Sequence, residues 1–501
     1  MPCGREGLGG GGGDDARHDA PGVGRRVPLP VVESRPAHES RARLEIARMP
    51  PETDLMDRVV ALTKRRGFVF PSSEIYGGLA GCYDYGPVGI ALKRQIRDDW
   101  WRAMVTRRED VVGIETSILM ASRVWEVSGH ATNFHDPMVD CKKCKARFRA
   151  DLVAESQCPE RPSKKPGECG GELTAPRQFN MMFRTQAGPV EDSSSTVYLR
   201  PETAQGMFVN FKNVLETTRV KVPFGIAQQG KSFRNEIVVR NTLFRMREFE
   251  QMECEFFCVP GTEDAWFEHW KQYRLQWWKD LGVRASRLRL RDHAKEELAH
   301  YAKACSDIEY LYPFGWKEVE GVASRGDFDL KAHQAGSGKG LAYHDEATKQ
   351  WIVPYVVEPA VGVDRCFLAV LADAYEEEVK PNGETRIVLH LHPKLAPTQV
   401  GVFPLVKKDG MPELARAIYE SLRDTYRCLY DEGATVGKRY ARMDEVGMPY
   451  GVTVDSQSLV DGTVTVRDRD TTSQERVHQR ELLGYLGERI RGWKRADDAS
   501  L

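Results

Sequence analysis

GKSFRNEIVVRNTLFRMREFEQMECEFF, residues 230–257, places Arg234, Glu236, Arg245, Arg247, Glu250 and Glu253 among Phe233, Phe244 and Phe249, in a stretch whose two ends alternate like strands. As an antiparallel hairpin, SFRNEIVV and REFEQMECEFF put alternate side chains on opposite faces. Arg234 and Glu236 then share one face of the first strand. Phe249, Gln251 and Glu253 share one face of the second, and Glu250 points the other way with Met252 and Cys254. The intervening RNTLFRMR is too long and too charged for a simple turn, and such loops commonly bind something. Guanidinium beside carboxylate, with aromatic rings next to both, suits a nucleotide. Arginine grips a phosphate through a bidentate fork, phenylalanine stacks on a base, and a carboxylate accepts from an exocyclic amine. A ladder of cross-strand salt bridges, each stabilising by about 0.2–1 kcal/mol, fits the same residues. This stretch alone does not choose between the two.

At 501 residues the chain exceeds the size at which one core keeps growing, so two or three domains are expected. No apolar run approaches the roughly 18 residues of a membrane span. A net charge of −1 removes any global electrostatic argument for nucleic acid and leaves only a local basic face. Eleven cysteines are too few for a disulfide scaffold in so long a chain, and four of them fall in one segment. That pattern points to metal in a reducing compartment and to a cytoplasmic protein. Residues 1–49, with the run GGGGG and many Pro and Arg, read as a disordered or mis-started extension; Asp14, Glu33 and Glu39 oppose an import signal.

Folded sequence begins near Asp54, where DLMDRVVALTKRRG has helical spacing up to Gly67. In GPVGIALKRQIRDDWWRAMV, Leu92, Ile96, Trp100 and Met104 form a stripe that must be buried, in the core or against a second copy. DAWFEHWKQYRLQWWKD predicts a Trp-rich helix, and RLRLRDHAKEELAHYAKAC a short strand leading into a helix. KPNGET, residues 380–385, marks a break. Beyond it, RIVLHLHPKLAPTQVGVFPLV reads as strand, turn, strand, and PYGVTVD and GTVTVRDRD as further strands. MPELARAIYESLRDTYRCLYDEG and SQERVHQRELLGYLGERIRGW read as helices. The alternation predicts a separate α/β domain with a mostly parallel sheet.

Cys141, Cys144, Cys158 and Cys169 supply four thiolates in two knuckle-like pairs, the second looser than CxxC. Four sulfurs at about 2.3 Å complete a tetrahedral Zn²⁺ site and let a small insertion fold without its own core. With no position left open, the role is structural. Lys142, Lys143, Lys145 and Arg147 around it suit either a nucleic-acid ribbon or a solvated surface.

In EPAVGVDRCFLAVLADAY, Glu358 and Gly362 precede a helix whose first turn holds Asp364 and Arg365. An arginine there opposes the helix dipole unless an anion is close, which favours the phosphate reading. SFRNE followed by an aromatic-rich strand, and GVDR opening a buried helix, resemble the second and third signature motifs of class II aminoacyl-tRNA synthetases. GFVFPSSEIYGGLAGCYDYGPVG, RPETAQGMF, REFEQMECEFF, DFDL and YVVEPAVGVDR resemble the homodimeric glycyl-tRNA synthetases, from about Asp54 into the C-terminal domain.

The resemblance implies an α+β fold: a class II antiparallel β-sheet catalytic domain flanked by helices (residues 50–382), a zinc-ribbon-like insertion within it (138–176), and a C-terminal α/β anticodon-binding domain (383–501). It implies a ligase that activates glycine with ATP and Mg²⁺ and transfers it to tRNA-Gly. Arg234 and Arg365 would be the catalytic cations, Arg234 on the α-phosphate and the glycine carboxylate and Arg365 near the γ-phosphate. Glu236 would take the adenine amine and Phe249 the adenine ring, with Arg245 or Arg247 closing from the loop. Asn235, Phe244, Val319, Gly362, Val363 and Asp364 would complete the ATP site, and Glu318 would hold Mg²⁺ with the triphosphate. Glycine would lie among Glu202, Glu253 and Glu358, with Arg149, Phe249, Glu250, Gln251, Ala360 and Gly362 around it. An extra methyl group favours binding by only about 1 kcal/mol, so alanine must be rejected by clash with fixed walls. Ala360 departs from the family's serine. Lys438, Arg439 and Arg442 could meet RNA or form a solvated face. Biotin and lipoate ligases share the adenylating fold but lack an anticodon module, and synthetase-like accessory subunits lose the two arginines, both present here.

Overall fold

The computed structural model describes residues 52–189, 195–239, 241–298, 302–346, 348–380 and 382–495. The expected extension, 1–49, lies outside them. Helices α1 (Glu52–Arg66) and α2 (Pro87–Trp101) lead into a seven-stranded sheet. Its strands are β1 (Val111–Gly113), β2 (Phe224–Phe233), β3 (Glu248–Cys258), β4 (Leu288–Asp292), β5 (Ala304–Tyr312), β6 (Gly315–Gly326) and β7 (Tyr355–Gly362), in the spatial order β4-β5-β6-β7-β3-β2-β1. Only β1 with β2 is parallel. Helices α3 (Ala204–Thr218), α4 (Glu263–Asp280), α5 (Phe328–Ser337) and α6 (Val363–Ala374) flank the sheet.

The central strand β3 is buried on both faces, as an interior strand must be when helices cover each side. Met252, Cys254 and Phe256 enter the main core with α2, α4 and α6. Phe257, on the opposite face, enters a second core with Phe208, Phe211 and Phe224. Leu92, Ile96, Trp100 and Met104 are buried in the main core, so the chain itself uses the apolar stripe of α2.

The antiparallel pairing of the opening stretch is present, but the first strand lies upstream of its expected place. β2 is FGIAQQGKSF, registered from Phe224↔Phe257 to Phe233↔Glu248. The apolar alternation that pins a register sits in Phe224 and Ile226, whereas Arg234, Asn235 and Glu236 leave the ladder. The Asn235 amide, for example, donates to the Met181 carbonyl (2.7 Å). A Cβ at Gly230 would lie 2.1 Å from Arg200 Nη2, so a side chain there would push the buried guanidinium aside. The expected helix in HAKEELAHYAKAC is absent among the described residues. They contain one 3-10 turn, Lys295–Glu297, and Ala304 already begins β5, because β4 and β6 offer ladders on both of its edges.

After α6, β8 (Tyr375–Val379) and β9 (Thr385–Leu389) pair antiparallel, so the expected break falls between two paired strands. Then follow β10 (Val400–Pro404), α7 (Met411–Leu422), β11 (Cys428–Tyr430), α8 (Val436–Glu445), β12 (Tyr450–Val454), β13 (Thr463–Asp468), β14 (Gln474–His478) and α9 (Leu482–Arg491). The second sheet runs β11-β10-β12-β13-β14. Only β10 is parallel to its neighbours; the other pairings are antiparallel, so the sheet is mixed rather than mostly parallel. Both expected helices here lost a part to it: Cys428–Tyr430 and Gln474–His478 became edge strands, where ladder hydrogen bonds outweigh helix propensity. Arg439 is buried and donates to the Pro404 carbonyl (2.6 Å), and Arg442 pairs with Asp431. Arg439 and Arg442 thus tie α8 to the strand ends beside it, Arg439 buried and Arg442 partly exposed.

Candidate active site

The carboxyl end of β7, the middle of β3 and β6, and the loop after β2 enclose a cavity of about 400 Å³. At one side of it stand the two predicted cations. Arg234, just past β2, lies 5.3 Å over the Phe249 ring and 5.4 Å over Phe134, and its Nε donates to the Pro201 carbonyl (3.1 Å). Arg365, in the first turn of α6, stacks 4.4 Å from Phe244, donates to the Phe244 carbonyl and pairs through Nη1 with Glu318 Oε2 (3.1 Å). Aromatic faces and carbonyls hold both guanidinium groups in place while both line the same space. The salt-bridge ladder describes Lys231 with Glu248 (2.7 Å) but neither of these arginines. Glu236 and Arg245 line the cavity nearby. Burial raises the Glu236 carboxyl, whose Oε2 lies 3.8 Å from Arg245 Nη1 and has no hydrogen-bond partner among the described residues.

The other side is acidic. Glu202, Glu253 and Glu358 converge there, with Gln251, Ala360 and Gly362 beside them. Glu253 accepts from the Thr203 amide (3.0 Å), the Thr203 hydroxyl and Gln251 Nε2 (2.5 Å). Burial, then Glu358 and Glu202, push its carboxyl up to about 8. Burial works to raise Glu202, but His130 at 3.2 Å, Arg325 and Gln205 together outweigh it and hold the carboxylate well below its ordinary range. Glu358 receives Arg325 Nη1 (2.8 Å), and Arg325 also grips Asp329 through Nε and Nη2.

Several predicted residues are not brought to the cavity. Glu250 faces away and pairs with Lys93 (3.1 Å) and Arg97 (3.0 Å), as strand alternation requires. Asp364 touches the wall, but its carboxylate is taken by Tyr85, Lys93 (2.9 Å) and the Glu250 amide (2.7 Å). Val319 and Val363 are buried in the core. Arg247 does not line the cavity; it donates to the Ala80 and Glu236 carbonyls and braces the loop. Asn235 is likewise outside, and Arg149 pairs with Asp136 (3.0 Å) and Asp151 (2.7 Å). Sequence reasoning missed Arg325, at the end of β6, which pairs with Asp329 in the first turn of α5. It also missed His293, Cys305 and Asp307, which face the cavity with ligand atoms within 4.8 Å of one another. Cys305 and Asp307 lie on β5 and His293 just past the end of β4, with no local motif to flag them.

Outside the cavity, Cys141, Cys144 and Cys169 bring their sulfurs within 4.8 Å of one another, and Cys158 is buried in the same small cluster. Backbone amides of Cys144 and Lys143 lower the Cys141 thiol to about 7.

Residues 183–375 match the family described as tRNA synthetase class II core domain (G, H, P, S and T), and residues 399–489 match an anticodon binding domain. Proteins named glycine–tRNA ligase from Borreliella afzelii and Geobacillus thermodenitrificans are each 51% identical to this chain, covering 88% and 87% of it and 98% and 97% of their own length. The protein of that name from Treponema denticola is 50% identical over 88% of this chain and 98% of its own. The chain belongs to the glycine–tRNA ligase family of class II synthetases. The expected α+β catalytic fold of this glycine–tRNA ligase family member is present, with a mixed second sheet. In this family member Ala360 lies between Glu253 and Gly321 in the ladder, so the wall at that point is a methyl group. No described helix is long and apolar enough to cross a membrane.

Proposed function

We propose that this chain activates glycine with ATP, giving glycyl-adenylate and pyrophosphate, and transfers the glycyl group to the 3′ end of tRNA-Gly. The observation that carries the reading is the single cavity with two fixed guanidinium groups on one side and three carboxylates on the other. The glycine carboxylate attacks the α-phosphate in line, which needs no enzyme nucleophile; positioning and neutralisation of charge do the work. Arg234 holds the α-phosphate and the attacking carboxylate together, and Arg365 clamps the far end of the triphosphate. Phe249 stacks on adenine while Glu236, with its free Oε2, accepts from the adenine amine. Arg245 closes the loop side. Glu202, Glu253 and Glu358 take the ammonium group and fill the volume where a β-carbon would go.

Glu318 faces the cavity beside Arg365 and is half-exposed, which suits a carboxylate sharing Mg²⁺ with phosphate oxygens. Magnesium bound with ATP would neutralise the triphosphate. Cys141, Cys144, Cys158 and Cys169 would hold structural Zn²⁺, a reading supported by the Cys141–Cys169 sulfur distance of 3.8 Å and the lowered Cys141 thiol. The same proposal includes residues 50–382 as the catalytic domain with 138–176 as its insertion, 383–501 as the anticodon-binding domain, 1–49 as an extension, a homodimer, and a cytoplasmic location. The dimer rests on the resemblance alone. Glycine-dependent exchange of pyrophosphate into ATP tests the activity; exchange with proline or threonine in place of glycine, or none, would overturn it.

A further inference from the structure

Beside the acidic side of the cavity lies a carboxyl group with no assigned task. Glu255 is fully buried, does not line the cavity, and no donor among the described residues reaches either of its oxygens. It stands two residues beyond Glu253 on β3 and so shares its face. β3 and β7 keep one register from Glu253↔Ala360 to Phe256↔Val357, which puts Glu255 directly opposite Glu358. Facing residues on paired strands have Cβ atoms about 5 Å apart, and two like charges there are destabilising. On β2 the residue opposite Glu255 is Ile226, which offers no polar atom.

The charged groups around Glu255 are Glu253 on its own strand, Glu358 on β7, Arg325 on β6 and Asp329 on α5. Arg325 is the one cation of this set, and it is engaged by both Asp329 and Glu358. A dry carboxylate without a donor costs several kcal/mol, whereas a neutral carboxylic acid can donate to a neighbouring carboxylate. Burial and then Glu358 push the Glu255 carboxyl well above its ordinary range, which agrees with this geometry.

We propose that Glu255 is a positioning residue of the amino-acid pocket: it stands as a neutral acid at working pH and donates its O–H to Glu358, fixing that carboxylate toward the substrate ammonium. Glu358 is then held from two sides, by Arg325 Nη1 and by Glu255. Its charge remains available to the incoming cation because Glu255 contributes none.

The proposal rests on the glycine-activating reading, which exchange by the unaltered chain tests separately. Its own test uses the full chain with Glu255→Gln, a neutral isostere that keeps a donor, and Glu255→Met, of similar length without one. Infrared difference spectra between the unaltered chain and Glu255→Gln should show a protonated-carboxyl C=O band that disappears in the variant, a readout independent of activity. In exchange kinetics, Glu255→Met should raise the KM for glycine by about tenfold or more, with the KM for ATP unchanged, and Glu255→Gln should recover most of that loss. Absence of the band, a glycine KM unaffected by Met, or equal damage from Gln and Met would each overturn it. Should Glu255→Met fail to fold, the spectrum and Glu255→Gln still decide.

Discussion

At the scale of single residues, geometry separates groups that sequence spacing left equivalent. Arg365 is held by Phe244 and Glu318 around the cavity rather than inside the core, so Arg365→Ala should lower pyrophosphate exchange by about 10²–10³-fold while the melting temperature stays close to that of the unaltered chain. Retained exchange would remove Arg365 from the catalytic set. Glu253 has a pH signature. Its folded carboxyl titrates at about 8 against an ordinary 4.5, so it holds a proton below about 8 and becomes the charged partner of an ammonium group only above it. The KM for glycine should therefore fall as pH rises toward about 8, by up to about tenfold per unit. The sign for stability is opposite: the raised value stabilises the empty chain below 4.5, and that contribution is lost as pH rises to about 8. Thermal melts across this range, with and without glycine, check both signs.

At the scale of elements, strand alternation decides which acids serve substrate and which serve the fold. Glu250 and Glu253 are three residues apart on β3, yet one meets Lys93 in the core and the other lines the cavity. Glu250→Gln should leave the KM for glycine within about twofold. By stripping buried Lys93 of one of its two carboxylate partners, it should cost about 3 kcal/mol in chemical denaturation. The cysteine segment behaves as another element, a sulfur cluster with few apolar residues of its own flanked by the short strands His135–Asp140, Arg147–Arg149 and Arg177–Asn180. Cys169→Ser, or treatment with a strong chelator, should release zinc detectable by a chromophoric indicator. Hydrogen exchange should then rise within residues 138–176 while the seven-stranded sheet stays protected. Unchanged exchange in that segment would argue against a metal-dependent fold.

At the scale of the whole molecule, the two sheets are joined by buried charge. Arg386 on β9 pairs with Asp444 at the end of α8 (2.8 Å) and with Glu378 on β8 (2.7 Å), and Arg495 reaches back to Asp373 at the end of α6 (2.8 Å). Arg386→Ala leaves Asp444 with Arg467 alone, so it should loosen the C-terminal module. tRNA charging should fall by more than tenfold while glycine-dependent exchange, confined to the first sheet, is kept. Equal loss of both activities would contradict this division.

The sequence by itself determined that the opening stretch pairs antiparallel, though not which residues form its first strand, and that the α2 stripe is buried; it also singled out Arg234 and Arg365, which share one cavity, because strand alternation, helical spacing and motif chemistry are local properties of the chain. Where a segment's fate depended on an unwritten neighbour, local reading failed. Cys428–Tyr430 and Gln474–His478 have helical patterns that yield to adjacent strands, and Asp364, Glu250 and Arg149 carry site-like chemistry that other charges claim first. Arg325, Glu255 and the His293–Cys305–Asp307 group acquire meaning only when separate strands are laid side by side. Only the tertiary structure decided those, since burial and the distance between unlike segments, not residue type, set whether a charge holds the fold together or waits for a substrate.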